Sequence, residues 1–286
     1  MDDVLPHRWD LLLRYRFIEC IALWEGRLTT RHLVETFGIG RQQASKDINV
    51  YNNEVAPNNL RYDKFLKGYE PAETFTPRVT LGLAEEYLQL LANRSELHRT
   101  FSSMALPQGH TEVLEPPARP VSPALLRPIL QAAREHQRIE VDYVSLNNPD
   151  REGRIIAPHT LVWTGLRWHV RGWCEKNQDF RDFVLSRFRG EPELLGPSEH
   201  SDTQDRDWQT IVHVVLIPDP RLSHDQRAVV ASDYGMQEGT LQLEVRARLV
   251  GYLLQMLNIN AGDILEDPRA QQVVIENRDD IKAWLF

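Results

Sequence analysis

Apolar residues recur at helical spacing through the first part of the chain, and short extended pieces follow them. The recurrence predicts three helices, and the extended pieces predict a hairpin. These elements cover residues 8–24, 30–37, 41–55, 60–64 and 68–75. Gly38-Ile39-Gly40 forms a tight break between the second and third helices. Helix, short helix, turn, helix and hairpin is the order of a winged helix-turn-helix.

The middle of the chain is rich in strands. After a helix predicted over residues 81–93, a proline-rich stretch over residues 105–123 is typical of a linker. A helix over residues 123–136 leads into four strand candidates. The candidates are residues 139–145, 154–163, 167–173 and 180–188. Because no helix separates them, they predict a small antiparallel barrel.

The last ninety residues mix strands with helices. Strands are predicted over residues 211–217, 241–249 and 272–275. Helices are predicted over residues 223–234, 251–258 and 278–286. This mixture is typical of a small ferredoxin-like α+β unit. The whole chain is therefore predicted to be an α+β multidomain protein.

Composition excludes several classes of protein. Of 286 residues, 42% are hydrophobic and 26% are charged, which is typical of globular rather than disordered or fibrous chains. No stretch approaches the roughly 18 apolar residues that a membrane helix needs, and the acidic start does not resemble a secretory signal. Cys20 and Cys174 are too few for a disulfide framework. We therefore expect a cytoplasmic protein with no membrane partner.

The net charge of −8 is unevenly distributed along the chain. Residues 196–286 hold 8 basic and 15 acidic side chains, so they account for −7 of it. Residues 27–69 hold 7 basic and 4 acidic side chains (net +3), and residues 151–190 hold 8 and 4 (net +4). The acidic total therefore does not exclude a nucleic-acid partner, because two windows are locally basic.

The third predicted helix has a polar face behind an apolar stripe. On a helical wheel, Ala44, Ile48, Tyr51 and Val55 fall on one side, which predicts packing against a core. The opposite side suits the major groove of DNA, because glutamine and asparagine can bond adenine, and arginine or lysine can bond guanine. Basic residues of the hairpin would meet phosphates. The predicted DNA-contacting residues are Thr30, Arg41, Gln42, Gln43, Ser45, Lys46, Asn49, Arg61, Lys64 and Lys67.

A solvated helix face is the alternative interpretation of this pattern. Glutamine, asparagine and lysine face water on most surface helices. Asp47 and Glu54 favour that alternative, since a carboxylate repels a nearby phosphate. The short helix and three-residue turn in front of the third helix favour DNA binding.

A second basic and aromatic cluster lies in the strand-rich middle segment. Period-two alternation places Tyr143 with Ser145 on one strand face and His169 with Arg171 on another. Such a group suits a phosphate-bearing ligand, because arginine offers forked donors and tyrosine or histidine can stack on a base. The predicted ligand-binding residues are Tyr143, Ser145, His159, His169, Arg171, Arg181, Arg187 and Arg189. The alternative is that these arginines lie on the outward face of a barrel and contact only solvent.

Three short motifs in this segment resemble those of the WYL domain family. That family has a Pro-His-x-Leu stretch, a Trp-Tyr-Leu triplet and a later Leu-x-Arg-Ile/Phe element. The corresponding stretches here are Pro158-His159-Thr160-Leu161, Trp168-His169-Val170 and Leu185-Ser186-Arg187-Phe188. His169 and Val170 replace the usual tyrosine and leucine, so a role specific to a phenol is not carried over.

The resemblance extends over essentially the whole chain. Residues 40–48 resemble the recognition helix of WYL regulators that accompany bacterial anti-phage systems, the BREX- and CBASS-associated (BrxR/CapW-like) repressors. The resemblance implies a winged helix-turn-helix DNA-binding domain at residues 1–76, a helical and proline-rich linker at 77–121, an Sm/SH3-like WYL barrel that senses the ligand at 122–195 and a C-terminal extension (WCX) that serves for dimerisation at 196–286. It also implies a homodimeric repressor of a phage-defence operon. Such a repressor binds an inverted-repeat operator in double-stranded DNA and is relieved by a nucleotide or oligonucleotide effector in the WYL pocket.

Enzymatic motifs are missing from the sequence. There is no phosphate loop, dinucleotide fingerprint or zinc-protease helix motif, so we predict no catalytic residue, no metal and no cofactor. Two alternatives stay open. One is an enzyme that acts on nucleotides or nucleic acid through the arginine-rich pocket, which would need clustered carboxylates for Mg²⁺. The other is a transcriptional activator of the same architecture.

Overall fold

A computed structural model describes residues 8–100, 111–114, 116–146, 149–150, 152–262 and 265–285, with the side chains of residues 93–100 not described. Residues 105–110 and 115 of the predicted linker over residues 105–123 lie outside these ranges. The chain divides into two compact units, residues 1–115 and 116–286. Within the described ranges, no helix is both long and apolar enough to cross a membrane.

The N-terminal unit has the predicted winged helix-turn-helix order. Its elements are α1 (Trp9–Glu25), α2 (Thr30–Phe37), α3 (Arg41–Val50), β1 (Leu60–Asp63), β2 (Gly68–Pro71) and α4 (Ala84–Thr100). Strands β1 and β2 pair as an antiparallel hairpin, the wing. The predicted apolar stripe of the third helix lies in the core: Ala44, Ile48 and Tyr51 are fully buried, and Val55 is nearly so. Burial of this stripe presents the opposite side of α3 to solvent.

The end of the third helix differs from the prediction. The last turn, Tyr51–Val55, is a π-helix, and the Ala56 N–H donates to the Tyr51 carbonyl oxygen at 2.8 Å. The Asn52 side chain bonds both the N–H and the carbonyl oxygen of Leu60, at 2.7 and 3.0 Å, and so holds the wide turn against the start of β1. The predicted helix over residues 81–93 begins later, because Gly82 has a left-handed φ of +72°.

The C-terminal unit begins with a helix packed on a sheet. Its first elements are α5 (Pro123–Glu135), β3 (Gln137–Tyr143), β4 (Glu152–Trp163), β5 (Trp168–Cys174), β6 (Asp179–Val184) and β7 (Phe188–Pro197). The Ser122 side chain accepts the Leu125 N–H and caps α5. The five strands form an antiparallel sheet in the order β6-β5-β4-β3-β7. One face of this sheet forms a core with Leu125, Ile129 and Ala132 of α5.

The predicted closed barrel is not found among the described strands, because β6 and β7 lie at opposite edges of an open sheet. The strand predicted over residues 180–188 was wrong in its second half. It ends at Val184, and Leu185–Arg187 form a 3₁₀ turn. The Val184 N–H donates to the Tyr143 hydroxyl at 3.0 Å, at the point where β6 ends. Strand β7 was not predicted, since its two glycines and two prolines resemble a turn, but an edge strand tolerates them.

The remainder of this unit is a smaller α+β region. Its elements are α6 (Arg206–Gln209), β8 (Ile211–Pro218), α7 (His224–Asp233), β9 (Leu241–Arg246), α8 (Val250–Met256), β10 (Val273–Ile275) and α9 (Arg278–Ile281). The described strands form one antiparallel sheet in the order β10-β8-β9. A ferredoxin-like unit has four strands, so that arrangement is not confirmed. The predicted strand over residues 241–249 stops at Arg246, because a 3₁₀ turn follows and leads into α8.

Candidate DNA-binding surface and buried arginine cluster

Helix α3 exposes a polar side that we name the reading face. The face comprises Arg41, Gln42, Lys46 and Asn49, all of which are exposed. Of the flanking predicted residues, Gln43 is exposed and Ser45 is half-buried. Because the opposite side of the helix is locked in the core, the reading face has a fixed orientation within the unit.

Asp47 lies on α3 but does not face solvent. It is 2% exposed, and its Oδ2 atom accepts a hydrogen bond from Arg14 Nε of α1 at 2.7 Å. Its Oδ1 atom accepts from Gln43 Nε2 at 2.7 Å, which fixes the Gln43 side chain. The expectation that Asp47 would repel DNA was therefore wrong, since its charge is buried and paired with arginine.

The predicted contacts outside α3 differ in their environment. Thr30 is half-buried in the first turn of α2, where the preceding Thr29 forms the cap. Arg61 is exposed on β1, and its guanidinium pairs across the hairpin with Glu70, with Nε 2.8 Å from Oε1. Lys64 and Lys67 are exposed at the wing tip, residues 64–67, which joins the two strands.

Arg171 of β5 is the centre of a buried ionic cluster in the C-terminal unit. Arg171 is only 1% exposed, although its side chain is long and charged. Both oxygens of Asp205 accept from the guanidinium, with Nε–Oδ2 at 2.6 Å and Nη2–Oδ1 at 2.8 Å. Nη1 donates to Asp182 Oδ1 at 3.0 Å. The bidentate contact with Asp205 is the geometry in which arginine also binds phosphate.

The two carboxylates connect Arg171 to other parts of the unit. Asp205 also caps α6, because Oδ1 accepts the Trp208 N–H at 3.2 Å. Asp182 accepts at Oδ2 from Arg248 Nε at 2.7 Å and from the Tyr252 hydroxyl at 3.1 Å. Burial raises the pKa of Asp205, but hydrogen bonds from His159 and Arg171 outweigh it and bring the pKa to about 2.

His159 reaches the cluster from a β-bulge. Pro158 pairs with Gly172 and Thr160 pairs with Arg171, so His159 is the extra residue of β4. A bulge re-aims a side chain, and here His159 Nε2 lies 3.1 Å from Asp205 Oδ2. A Cβ atom on Gly172 would clash with the backbone of Ala157 and Pro158, which explains the glycine.

His169 is also buried on this face of the sheet. Its ring is tilted against the Tyr252 ring, with centroids 4.9 Å apart, and its Nδ1 atom lacks a hydrogen-bond partner among the described residues. Burial lowers the pKa of His169 to about 4, although the nearby Asp182 carboxylate opposes this shift. His169 is therefore neutral near pH 7.

The structure does not bring all eight predicted pocket residues together. His159 and Arg171 meet at Asp205, and His169 lies on the same face as Arg171. Tyr143 is instead part of the core on the other face, in edge-to-face contact with Phe183. Arg181 lies opposite Gly172 in the strand register, whereas Asp182 lies opposite Arg171, so Arg181 and Arg171 point to opposite faces.

The remaining predicted residues lie near the ends of strands β3 and β6. Ser145 and Arg187 are half-buried. Arg189 is exposed on β7, and its Nη1 donates to the carbonyl oxygens of Ser186 and Phe188 at 2.9 and 2.8 Å. An anion held jointly by Arg171, Arg181 and Arg187 is not compatible with this arrangement.

The sequence did not reveal the distant members of the buried cluster around Arg171, which are Asp205 on Arg171 itself and Arg248 and Tyr252 on Asp182. These three residues lie 34 to 81 positions from Arg171 along the chain, so local periodicity could not place them in its cluster. Asp205 precedes a short helix, which is an N-cap pattern, but this pattern does not identify its second partner. Within the described ranges, no group of three histidine, cysteine or acidic residues is arranged to hold a metal.

Three family models match the chain in the order of the elements described above. The BrxR transcriptional regulator winged helix-turn-helix domain matches residues 10–93, the WYL domain matches residues 124–190, and the BrxR C-terminal dimerization domain matches residues 211–281. A solved structure, that of proteasome accessory factor B/C (PafBC) of Arthrobacter aurescens, is 18% identical in sequence. The match covers 96% of this chain and 47% of the PafBC chain. Its TM-score of 0.27 is too low to support a structural argument.

Relatives named DNA-binding transcriptional repressor CapW are similar over nearly the full chain. The protein of Escherichia coli (strain KTE188) is 34% identical over 281 residues, which is 97% of this chain and 93% of that protein. The Pseudomonas aeruginosa protein is 35% identical over 276 residues, which is 96% of this chain and 92% of that protein. The Stenotrophomonas maltophilia protein is 32% identical over 285 residues, or 97% and 93%. The chain therefore belongs to the BrxR/CapW family of WYL-domain transcriptional regulators.

Proposed function

We propose that the chain is a homodimeric transcriptional repressor that binds an inverted-repeat operator in double-stranded DNA. The reading face is the observation that supports this most directly, because a helix with one side locked in a core presents four polar or basic side chains to solvent. The relatives named as repressors and the matched dimerization domain support repression and dimer formation. In a dimer, two α3 helices enter major grooves about one helical turn, or a multiple of it, apart.

Replacing Gln42 and Lys46 by alanine is expected to weaken sequence preference strongly. Each side chain that bonds a base edge contributes about 1–3 kcal/mol of discrimination, so the ratio of specific to non-specific affinity is expected to fall about 100-fold. The measurement is fluorescence anisotropy of the full chain on the DNA upstream of its own gene and on a shuffled duplex, at fixed salt concentration.

The matched control is Arg127→Ala with Gln131→Ala on α5. That pair also removes one positive charge and one glutamine from an exposed helix face, but outside the winged helix-turn-helix. We expect it to leave the ratio unchanged. Unchanged preference in the α3 variant would show that α3 does not read the operator.

The effector in this proposal is a nucleotide or oligonucleotide whose phosphate replaces Asp205 on Arg171. A phosphate diester carries the single negative charge that Asp205 supplies and accepts the same two donors. Displacement of Asp205 would remove the cap of α6, which leads directly into β8 of the region matched by the dimerization domain. The effector can shift the equilibrium between the DNA-binding and the released dimer only as far as its affinities for these two states differ.

A short single-stranded oligonucleotide is expected to bind the Gln42→Ala, Lys46→Ala variant, which keeps the WYL domain but lacks part of the reading face. Adding Arg171→Met together with Asp205→Leu, which removes the guanidinium while keeping the volume, is expected to weaken that binding about tenfold, because the charged donors to the phosphate are lost. Isothermal titration measures both affinities, with Arg227→Gln on the exposed side of α7 as the control. Equal binding by the variants with and without Arg171→Met and Asp205→Leu would contradict the proposed effector site.

A further inference from the structure

Phe65 at the wing tip is the most exposed large apolar side chain in the described part of the chain. It is 97% exposed, and the next residue, Leu66, is 45% exposed. Neither residue belongs to the core of the N-terminal unit, so packing within the unit does not account for an aromatic ring at this position.

The backbone of the tip is held in place although the ring of Phe65 is not. Asp63 Oδ1 accepts the N–H groups of Phe65 and Leu66 at 2.6 and 2.7 Å. Arg27 Nε donates to the Leu66 carbonyl oxygen at 2.7 Å. These bonds fix the direction in which Phe65 projects.

The base of the wing is anchored to the helical part of the unit. Leu28 and Tyr69 exchange two backbone hydrogen bonds, both 2.7 Å long. A Cβ atom on Gly68 would lie 2.9 Å from the Leu28 carbonyl oxygen, so only glycine allows this close approach. The anchoring lowers the ordering cost of any complex made by the tip, because little freedom is left to lose.

The charge around Phe65 favours a polyanionic partner. Lys64 and Lys67 flank the Phe65-Leu66 pair, and both are exposed. The adjacent Asp63 carboxylate is directed at the backbone of the tip rather than outward. The tip therefore combines an apolar ring with two ammonium groups, and duplex DNA offers the matching combination of a stacked apolar interior and flanking phosphates.

We propose that Phe65 is an apolar wedge that enters the minor groove beside the operator sequence and partly unstacks one base step. This inference rests on the proposed DNA-binding function, and it adds a second contact that deforms the duplex. Apolar side chains inserted between base steps kink DNA by 20–90° toward the major groove. Lys64 and Lys67 then bind phosphates on the two sides of the inserted ring, and pyrimidine–purine steps are the preferred sites, since they unstack most easily.

The test compares bending and base stacking in complexes of the full chain with the DNA upstream of its gene. End-to-end energy transfer reports the bend, and 2-aminopurine placed at successive positions reports an unstacked step. The wild-type chain is expected to bend the duplex and to brighten 2-aminopurine at one step in each half-site. Phe65→Ala is expected to lose both responses and about tenfold in affinity, but to keep the sequence preference that α3 confers. Its fold is expected to be intact because the side chain is almost fully exposed.

Two further variants separate the wedge from charge effects. Phe65→Leu is expected to restore much of the bend, since leucine also serves as a wedge. Lys64→Ala is expected to keep the bend and to reduce the salt dependence of binding by about one phosphate contact.

Three outcomes would overturn the inference. One is a Phe65→Ala complex that bends DNA as the wild type does. Another is a Phe65→Ala chain that dissociates in sedimentation, which would assign the ring to a contact between two copies of this chain. The third is absence of sequence-specific binding by the wild type, which would end the proposed function together with the wedge. Preserved preference with an unaltered bend would end the wedge alone.

Discussion

Replacing Glu19 by glutamine is expected to lower the free energy of unfolding of the N-terminal unit by about 3–5 kcal/mol. Glu19 lies on α1 and is fully buried. Its carboxylate accepts the Tyr51 hydroxyl at 2.9 Å, the N–H groups of Arg78 and Thr80 at 2.8 Å and that of Val79 at 3.1 Å. The Thr80 hydroxyl adds a further donor at 2.8 Å. A glutamine amide would turn an NH₂ group toward these donors, and buried donors without an acceptor are costly.

The expected loss extends to DNA binding, because Tyr51 anchors the end of the third helix. Hydrogen exchange of the segment Arg41–Val55 measures local stability within the full chain, which suits a protein with more than one unit. Glu25→Gln is the matched control on the same helix. Glu25 is half-buried and accepts one described bond, from the Tyr87 hydroxyl at 3.1 Å, so its loss should not exceed about 1 kcal/mol. Equal exchange in the two variants would show that the Glu19 carboxylate does not hold this part of the unit together.

The burial of Glu19 could not be predicted from the sequence, although the helix that carries it could. The spacing of apolar residues predicted α1 within one residue at each end, because a helix that packs on a core must repeat its apolar positions. The same spacing gave no reason to bury a glutamate. Three of its donors are backbone N–H groups about sixty positions away, and only the folded chain brings them to the carboxylate.

The third helix could be predicted for the same reason that α1 could. Its apolar stripe alone determined which side faces the core and therefore which side is the reading face. The role of Asp47 depended instead on Arg14, 33 positions earlier. A charge that appears repulsive in the sequence is neutral in effect once such a long-range partner is known.

The candidate pocket was predicted less well because a sheet places residues by cross-strand register. Period two correctly placed His169 and Arg171 on one face. It could not show that Arg181 lies opposite Gly172 on the other face, because the turn between β5 and β6 determines that register. It also could not show that the carboxylates of Asp182 and Asp205 already occupy Arg171.

Replacing Asp205 by alanine is expected to lower the free energy of unfolding of the C-terminal unit by about 3–5 kcal/mol. The substitution removes two hydrogen bonds from a guanidinium that stays buried, and it also removes the cap of α6. Removing one partner of a buried ion pair costs more stability than replacing both partners by apolar residues, because the remaining charge has lost both its solvation and its partner. Urea unfolding at one fixed protein concentration measures the loss, since a dimer's stability depends on concentration.

The neighbouring acid and a double variant separate the possible causes. Asp207→Ala removes an exposed acid from the same short helix, and we expect a change of less than about 0.5 kcal/mol. Arg171→Met combined with Asp205→Leu removes both charges while keeping the volume, so it should recover much of the loss. A double variant as unstable as Asp205→Ala alone would assign the cost to packing or to the α6 cap rather than to the unpaired guanidinium.

The pH dependence of the free energy of unfolding is an independent test of the Arg171–Asp205 pair. The pKa of Asp205 is about 2 in the folded chain against an ordinary value of 3.8, so folding favours the charged carboxylate. Its contribution is therefore complete above about pH 4 and declines as the pH falls toward 2. The stability difference between the wild type and Asp205→Ala should shrink as the pH falls below 4. The lowered pKa of His169, about 4 against an ordinary value of 6.5, makes stability depend on pH between these two values. Because the wild type and Asp205→Ala both contain His169, this contribution cancels in the difference between them. A difference that already shrinks above pH 5 would mean that the Asp205 carboxylate is not held by Arg171 and His159.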